Sequence, residues 1–343
     1  MKKVVISVLS TVLILCIIIL GVQAYIKAKI VVHPFKENKT QLGITVVNGD
    51  SITSIIDKLS TSGKLNNGFL LNLYIKSQKI NLKNIKPGTA IISTDITLDA
   101  FLSILKMDKK DKDLVKVTFP EGFTITDIAA RLEKNQLISK VDFINACKTY
   151  KIPDYIKSDS KRRYALEGFL FADTYEFKKG ISGEEIITIM LTRFEAVIYG
   201  IGEKQSKVIN KEDIDTLINM AALVEKEAKD KNERAIVASV FNNRLKKGMK
   251  FESCATVNYA MEKVILVLSI KDTKFNSPYN TYINQGIPAG PICSPGKAAI
   301  EAVLNPESTD YLYFVANIKK ADGTMVFAKT LKEHNENVKK YEK

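Results

Sequence analysis

The sequence predicts an α+β fold that follows a single membrane-spanning helix. Three observations lead to this prediction: an uncharged apolar run at residues 4–24, short β-prone segments that alternate with helical patterns beyond it, and the absence of any repeat period. With 343 residues, 45% of them hydrophobic, the chain is long enough for about two domains. We divide it into a cytoplasmic tip and transmembrane anchor at 1–25, a linker at 26–40, a small module with a hinge at 41–113 and a larger α+β domain at 114–343.

The first segment has the length of a membrane anchor. Residues 4–24 carry no charge and follow Lys2 and Lys3. As a helix they span about 31 Å, which matches the hydrocarbon core of a bilayer. A cleaved signal peptide is the alternative, because Val22 and Ala24 have the spacing that signal peptidase accepts, but the apolar run is longer than usual for one. We therefore expect a single-pass protein of the cell membrane with a cytoplasmic N-terminus and an extracytoplasmic body.

Charge and cysteine usage narrow the functional class. The formal net charge is +13, but lysine supplies most of it, the chain has no tryptophan, and no zinc-finger or Gly-rich motif is present. Since arginine is the better ligand for phosphate and bases, nucleic-acid binding is not expected. The lysines are either solvated or attract anionic lipid or wall polymer. The four cysteines are too scattered for a disulfide framework, and we expect packed thiols.

A small strand-helix-helix-strand unit follows the linker. The β-prone run 44–47 precedes a turn, helical patterns cover 51–59 and 69–74, and a returning strand covers 89–93. This outline resembles a LysM-type module, which in other envelope proteins binds N-acetylglucosamine polymers. A packing domain that only positions the rest of the chain is the alternative.

The larger domain begins beyond a charged run at residues 108–113, which we interpret as a solvated hinge. A strand at 115–122 leads into a helix capped by Thr124 or Thr126, and another helix covers 140–150. Helices then alternate with short strands to the C-terminus.

One predicted helix, at residues 212–230, carries an acidic residue on its apolar face. Its apolar residues recur at helical spacing, at Ile214, Leu217, Ile218 and Ala221. The same stripe continues to Glu225, whereas Glu227 lies about 200° around the helix. Burial raises the pKa of a carboxyl group, and a raised pKa suits a general acid. Glu225 is therefore a candidate acid, and a structural ion pair with a lysine or arginine is the alternative.

Other catalytic schemes find little support in the sequence. No H-E-x-x-H motif is present, and the two histidines, His33 and His334, lie in unrelated contexts. Ser158 and Ser294 each begin an S-x-x-K match, but the K-T-G motif of penicillin-binding enzymes is missing. A serine enzyme is not expected.

Several longer segments carry a more specific resemblance. They read LVEKEAKDKNERAIVASVFNNRLKKGMKFES (223–253), SPYNTYINQGIPAGPICSPG (277–296), LNPESTDYLYFVA (304–316) and FAKTLKEHN (327–335), with VTFPEGFTITDIA and LEGFLFADTYEF upstream. In this order they resemble the YceG-like family of endolytic murein transglycosylases, over the whole chain from anchor to C-terminus. The small module is the weakest part of the match.

The resemblance implies an α+β catalytic domain that cleaves the MurNAc-GlcNAc bond of nascent peptidoglycan strands, leaves 1,6-anhydroMurNAc ends and terminates strand elongation. It implies no metal and no cofactor, and it implies peptidoglycan synthases as partners. The catalytic acid would be the first glutamate of V-E-K-E, Glu225. Asn243, Asn280 and Tyr282 would line the substrate groove, although each also has an ordinary structural interpretation. Glu167 would serve the groove or only fix a loop.

Two departures from the family pattern lie near the groove. Where the family usually has S-D-P-T this chain has Cys254 as the second residue, and a histidine or similar polar residue is replaced by Met325. These departures leave open a binding protein without turnover. A muramidase-type hydrolase also stays open, because the chain has candidates for the second carboxylate that it would require. The candidates for that carboxylate are Glu121, Glu167, Asp173 and Glu252.

Overall fold

The computed structural model describes residues 25, 30–36, 41–80, 85, 87–106, 114–205, 207–320 and 324–341. The chain divides into two compact units, Met1–Lys112 and Asp113–Lys343. The predicted anchor at 4–24 and the predicted hinge at 108–113 lie outside the described residues. Within the described ranges, no helix combines the length and the apolar character needed to cross a bilayer.

Within its described residues, the first unit contains a two-stranded sheet and three helices that share one apolar core. Strand β1 (Gln41–Val46) pairs antiparallel with β2 (Gly88–Ser93), and the remaining elements are α1 (Ile52–Thr61), α2 (Gly68–Ser77) and α3 (Leu98–Lys106). Ser51 and Asn67 cap α1 and α2 by accepting backbone N–H bonds of the first turn. The predicted strand-helix-helix-strand order is observed, and α3 is an addition that the sequence analysis did not predict. The likeness to a LysM module stays a prediction.

The described part of the second unit is mainly helical and carries two small antiparallel sheets. Strand β3 (Leu114–Thr118) pairs with β4 (Thr174–Lys178), and β5 (Tyr313–Ala316) pairs with β6 (Met325–Ala328). The helices are α4 (Ile125–Lys134), α5 (Lys140–Thr149), α6 (Gly183–Gln205), α7 (Lys211–Glu227), α8 (Arg234–Lys246), α9 (Cys254–Met261), α10 (Lys297–Leu304) and α11 (Leu331–Tyr341). The predicted mixture of helices and short strands is confirmed.

Helix α4 shows how local sequence sets an element boundary. The Thr124 side chain accepts the backbone N–H of Asp127, and the Asp127 carboxylate accepts the backbone N–H of Thr124. This reciprocal capping satisfies two donors that the first turn leaves without partners. Of the two predicted caps, Thr124 is the one that is used.

Helix α7 is largely buried and packs against α8 and α10. Nearly every side chain from Ile214 to Val224 is buried. The helix ends at Glu227 and not at the predicted residue 230, because the backbone of Ala228 turns to an extended conformation. As a result, Glu225 and Glu227 both lie in the last turn, next to the segment that leads into α8.

The described cysteines form no disulfide with one another. Cys147 and Cys293 are buried, as expected for packed thiols. The same expectation is wrong for Cys254, which begins α9 and is exposed.

Candidate active site

Glu225 lies at the end of α7 and is held as part of an ion pair. Its Oε1 atom is 2.7 Å from Nη2 of Arg234, and its Oε2 atom accepts the backbone N–H of Gly296 at 3.0 Å. The side chain is only 8% exposed. Burial raises the pKa of Glu225, while the Gly296 N–H and Arg234 act in the opposite direction. The ion-pair alternative left open by the sequence therefore has its partner in Arg234.

A second carboxylate approaches the same arginine. Glu121 Oε2 lies 3.9 Å from Nη1 of the buried Arg234, and the charge of Glu121 contributes to the raised pKa of Glu225. A Cβ atom at Gly296 would collide with the Glu121 carboxyl group, so a larger residue there would displace that side chain. Lys226 completes the arrangement by donating to the carbonyl of Gly122 at 2.8 Å.

Glu227 has a different environment from Glu225. The Ser253 hydroxyl donates to Glu227 Oε1 at 2.5 Å, and the backbone N–H of Ala255 also donates to this carboxyl group. Burial raises the pKa of Glu227, and these two hydrogen bonds oppose that shift. Helical spacing did not single out Glu227. Its hydrogen-bond partners are the Ser253 hydroxyl and the Ala255 backbone N–H, which lie in another segment of the chain and not on the apolar face of α7.

Tyr282, the third predicted groove residue, is half-buried and lies close enough to Glu227 for the charge of that carboxyl group to act on it. Its phenol oxygen is 3.1 Å from Sγ of the exposed Cys254. Burial raises the pKa of Tyr282, and the charges of Cys254, Glu227 and Glu252 add to the shift. We call the four residues Glu227, Ser253, Cys254 and Tyr282 the Glu227 cluster.

The two predicted groove asparagines have structural partners. Asn243 donates both amide hydrogens to the backbone carbonyls of Thr309 and Tyr311, at 2.7 and 3.0 Å. Asn280 is completely buried and donates to the carbonyls of Thr273 and Phe275, at 3.0 and 2.7 Å. Both amide groups therefore hold loops in place, and the predicted contact of these residues with substrate stays a prediction.

Glu167 lies in the interior and not beside the Glu227 cluster. It is 1% exposed, and its two oxygens accept the backbone N–H of Ile125 at 3.0 Å and the Tyr259 hydroxyl at 2.9 Å. Burial raises its pKa to about 7. These contacts are those of a residue that fixes a loop and a helix start.

The remaining candidate carboxylates are dispersed. Asp173 pairs with Arg193 at 2.6 Å, and Glu252, 54% exposed, lies 4.0 Å from Arg244. Met325 is half-buried in β6, where its backbone N–H is accepted by Glu233. In the parts of the chain that the structure describes, no group of three or more histidine, cysteine or acidic side chains is placed to hold a metal ion.

Comparison with known proteins places this architecture in a family. The model of the YceG-like family matches residues 44–340. The endolytic murein transglycosylase of Bacillus subtilis (strain 168) is 35% identical over 332 residues, 93% of this chain and 90% of that protein. The endolytic murein transglycosylase of Streptococcus pneumoniae (strain ATCC BAA-255 / R6) is 29% identical over 88% of this chain and 58% of its own length.

A solved structure agrees with the sequence comparisons. The crystal structure of a yceG-like protein from Listeria monocytogenes covers 87% of this chain and 99% of its own, with a TM-score of 0.57 and 32% identity. The chain belongs to the YceG-like family.

Proposed function

We propose that this protein is an endolytic lytic transglycosylase that cleaves the glycan strands of peptidoglycan. Family membership supports the class of reaction, since the relatives from Bacillus subtilis and Streptococcus pneumoniae are endolytic murein transglycosylases. The observation that carries the proposal within this chain is the Glu227 cluster. It combines a carboxyl group whose pKa burial raises with the phenol of the half-buried Tyr282.

Within the V-E-K-E segment, the contacts favour Glu227 over Glu225 as the acid. An acid that also acts as a base must be stable with and without its proton. The Ser253 hydroxyl suits both states, because a hydroxyl donates to a carboxylate and accepts from a carboxylic acid. Arg234 only donates, and Gly296 presents the N-terminus of α10, so both favour the ionised form of Glu225 and oppose the burial that raises its pKa. The assignment of the acid to Glu225 stays a prediction from the sequence.

The proposed reaction needs one carboxyl group and no water. Protonated Glu227 donates its proton to the glycosidic oxygen that leaves with N-acetylglucosamine, and the bond from that oxygen to C1 of N-acetylmuramic acid breaks. The resulting Glu227 carboxylate then takes the proton of the C6 hydroxyl of the same N-acetylmuramic acid as that oxygen bonds to C1. The product is a 1,6-anhydro end, and Glu227 regains its proton.

Product analysis tests this reaction against the two alternatives. Purified wall is digested with the protein, and the fragments are analysed by mass spectrometry. We expect fragments with anhydro ends, each lighter by one water than the corresponding reducing end. Reducing ends would instead indicate a hydrolase with a second carboxylate, and Glu121 or Glu252 would then be the partner to test. Tight binding without any fragments would indicate a binding protein.

The location of the reaction follows from the predicted anchor. We propose that residues 4–24 hold the protein in the cytoplasmic membrane with its body outside, where strands are synthesised, so that each cut terminates elongation. Partnership with peptidoglycan synthases remains an expectation from the family resemblance. Protease added to intact, wall-stripped cells should digest the body, and a protected body would contradict this location.

A further inference from the structure

The loop between α9 and the Asp272–Lys274 turn displays apolar side chains to solvent. In this loop, residues 262–270, four large apolar side chains are almost fully exposed: Val264 at 90%, Leu266 at 93%, Val267 at 85% and Ile270 at 78%. Single exposed apolar residues are ordinary on protein surfaces, but four within seven positions form a patch. Such patches mark interaction sites.

The backbone of this loop is held by hydrogen bonds at both ends. The Asn258 side chain both donates to the carbonyl of Ile265 and accepts its N–H, each at 3.1 Å. At the other end, the Asp272 carboxylate accepts the backbone N–H and the hydroxyl of Ser269, at 2.9 and 2.6 Å. Ile265 is half-buried between Val264 and Leu266, which are exposed on either side of it. The apolar display is therefore preorganised, which lowers the entropy lost on binding.

Exposed lysines border the patch. Lys263 precedes the apolar residues, and Lys271 and Lys274 follow them. The two acidic residues of the same stretch have partners, because Glu262 pairs with Arg163 at 3.1 Å and Asp272 binds Ser269. Apolar side chains between lysines are the pattern of segments that lie at the boundary of head groups and acyl chains in an anionic membrane.

We propose that loop 262–270 inserts its apolar side chains into an anionic lipid bilayer while Lys263, Lys271 and Lys274 contact the head groups. The proposal adds to the proposed function, which places the protein at the membrane surface. The loop follows α9, whose first residue, Cys254, belongs to the Glu227 cluster. Lipid contact by this loop would hold the cluster close to the membrane, where strands that are still attached to lipid emerge.

The chain contains no tryptophan, so a single tryptophan introduced into the loop gives a fluorescence signal from that position alone. Full-length Leu266→Trp is reconstituted into vesicles of phosphatidylcholine and phosphatidylglycerol, with and without brominated acyl chains. We expect its emission to shift to shorter wavelength and the brominated lipids to quench it, with a smaller effect in pure phosphatidylcholine. Val208→Trp is the matched control, since Val208 is 89% exposed in the same unit, and we expect no shift and no quenching.

Two results would overturn the proposal. One is a Leu266→Trp emission that is as long in wavelength and as poorly quenched as that of Val208→Trp. The other is a blue shift in detergent without lipid that grows with protein concentration, which would assign the patch to a second copy of the chain. These readouts do not depend on turnover, so they remain valid if the proposed reaction fails.

An activity measurement then links the loop to the substrate. The combined serine variant at Val264, Leu266, Val267 and Ile270 should cleave detached soluble strands at the wild-type rate. It should cleave strands attached to membrane lipid several-fold more slowly. Equal rates of the variant and the wild type on both substrates would contradict a role in substrate access.

Discussion

Cys254 shows how one residue can depart from the family pattern without removing the candidate acid. The family resemblance implies an aspartate at this position, and the thiol of Cys254 lies 3.1 Å from the Tyr282 hydroxyl. Because a thiol is a weak donor and a weak acceptor, it orients Tyr282 less firmly than a carboxylate would. The bond from Ser253 to Glu227 is independent of this exchange. The departure therefore affects the phenol at the surface more than the carboxyl group beneath it.

At the scale of single residues, the sequence predicted the burial of Glu225 more reliably than the partners of each side chain. Helical spacing identified Glu225 as an enclosed acid, and it is enclosed. The same spacing could not reveal the hydrogen bond from Ser253 to Glu227, because this contact joins residues 26 positions apart. Likewise, Asn243 and Asn280 bind backbone carbonyls, and no side-chain pattern records such contacts.

At the scale of elements, the ion pair between Glu225 and Arg234 joins the end of α7 to the start of α8. Both side chains are at most 8% exposed. Removing one partner of a buried pair leaves the other charge without compensation, which typically costs about 3–5 kcal/mol. We therefore expect Arg234→Met to lower the free energy of unfolding by about that amount, measured by urea denaturation. The double variant Arg234→Met with Glu225→Gln should recover part of this loss, because it leaves no unpaired charge.

An exposed pair provides the control. Lys211 and Asp154 are 59% and 71% exposed, so Asp154→Asn should change the free energy of unfolding by no more than about 1 kcal/mol. If Arg234→Met were as stable as Asp154→Asn, the buried pair would not hold the two helices.

Element boundaries were predictable where a local signal sets them. The Thr124 cap depends on a residue three positions away, and the sequence identified it as one of two choices. The end of α7 depends instead on the extended backbone of Ala228, a buried residue that suits a helix by composition alone. Tertiary packing of the following segment overrides that preference.

At the scale of the whole molecule, Glu167 connects parts of the second unit that are far apart in sequence. It accepts from Ile125 at the start of α4 and from Tyr259 in α9, and burial raises its pKa to about 7 from 4.5. The folded state therefore holds this proton more tightly than the unfolded chain does. Its contribution to stability is complete below pH 4.5 and is lost as the pH rises through about 7.

The loss can be measured with a neutral variant. One pKa unit corresponds to about 1.4 kcal/mol, so the contribution of Glu167 should fall by about 3 kcal/mol between pH 4.5 and 8. Glu167→Gln keeps an uncharged group and should reduce the pH dependence of the free energy of unfolding, with its largest advantage over the wild type at pH 8. Glu176→Gln, at an exposed position in β4, is the control and should leave the dependence unchanged. An unchanged pH dependence in Glu167→Gln would contradict the assignment.

The overall α+β organisation was predictable because it depends on periodicity and turn residues that a sequence displays directly. Helix α3 was not predicted, because Leu98–Lys106 is short and directly follows a strand and a turn. The two asparagine-held loops and the course of the chain over Glu227 depend on long-range contacts. These features complete the candidate site, and only the folded chain reveals them.

Paired glutamine variants decide whether Glu227 or Glu225 exchanges the proton. Cleavage rates of purified glycan strands are measured for both variants, with folding checked by circular dichroism and strand binding measured separately. We expect Glu227→Gln to fold and bind but to lose at least a factor of about 10² to 10⁴ in rate, because an amide cannot transfer the proton. Glu225→Gln should lose stability and remain within about tenfold of the wild-type rate. A folded Glu225→Gln without activity beside an active Glu227→Gln would contradict the account and support the prediction made from helical spacing.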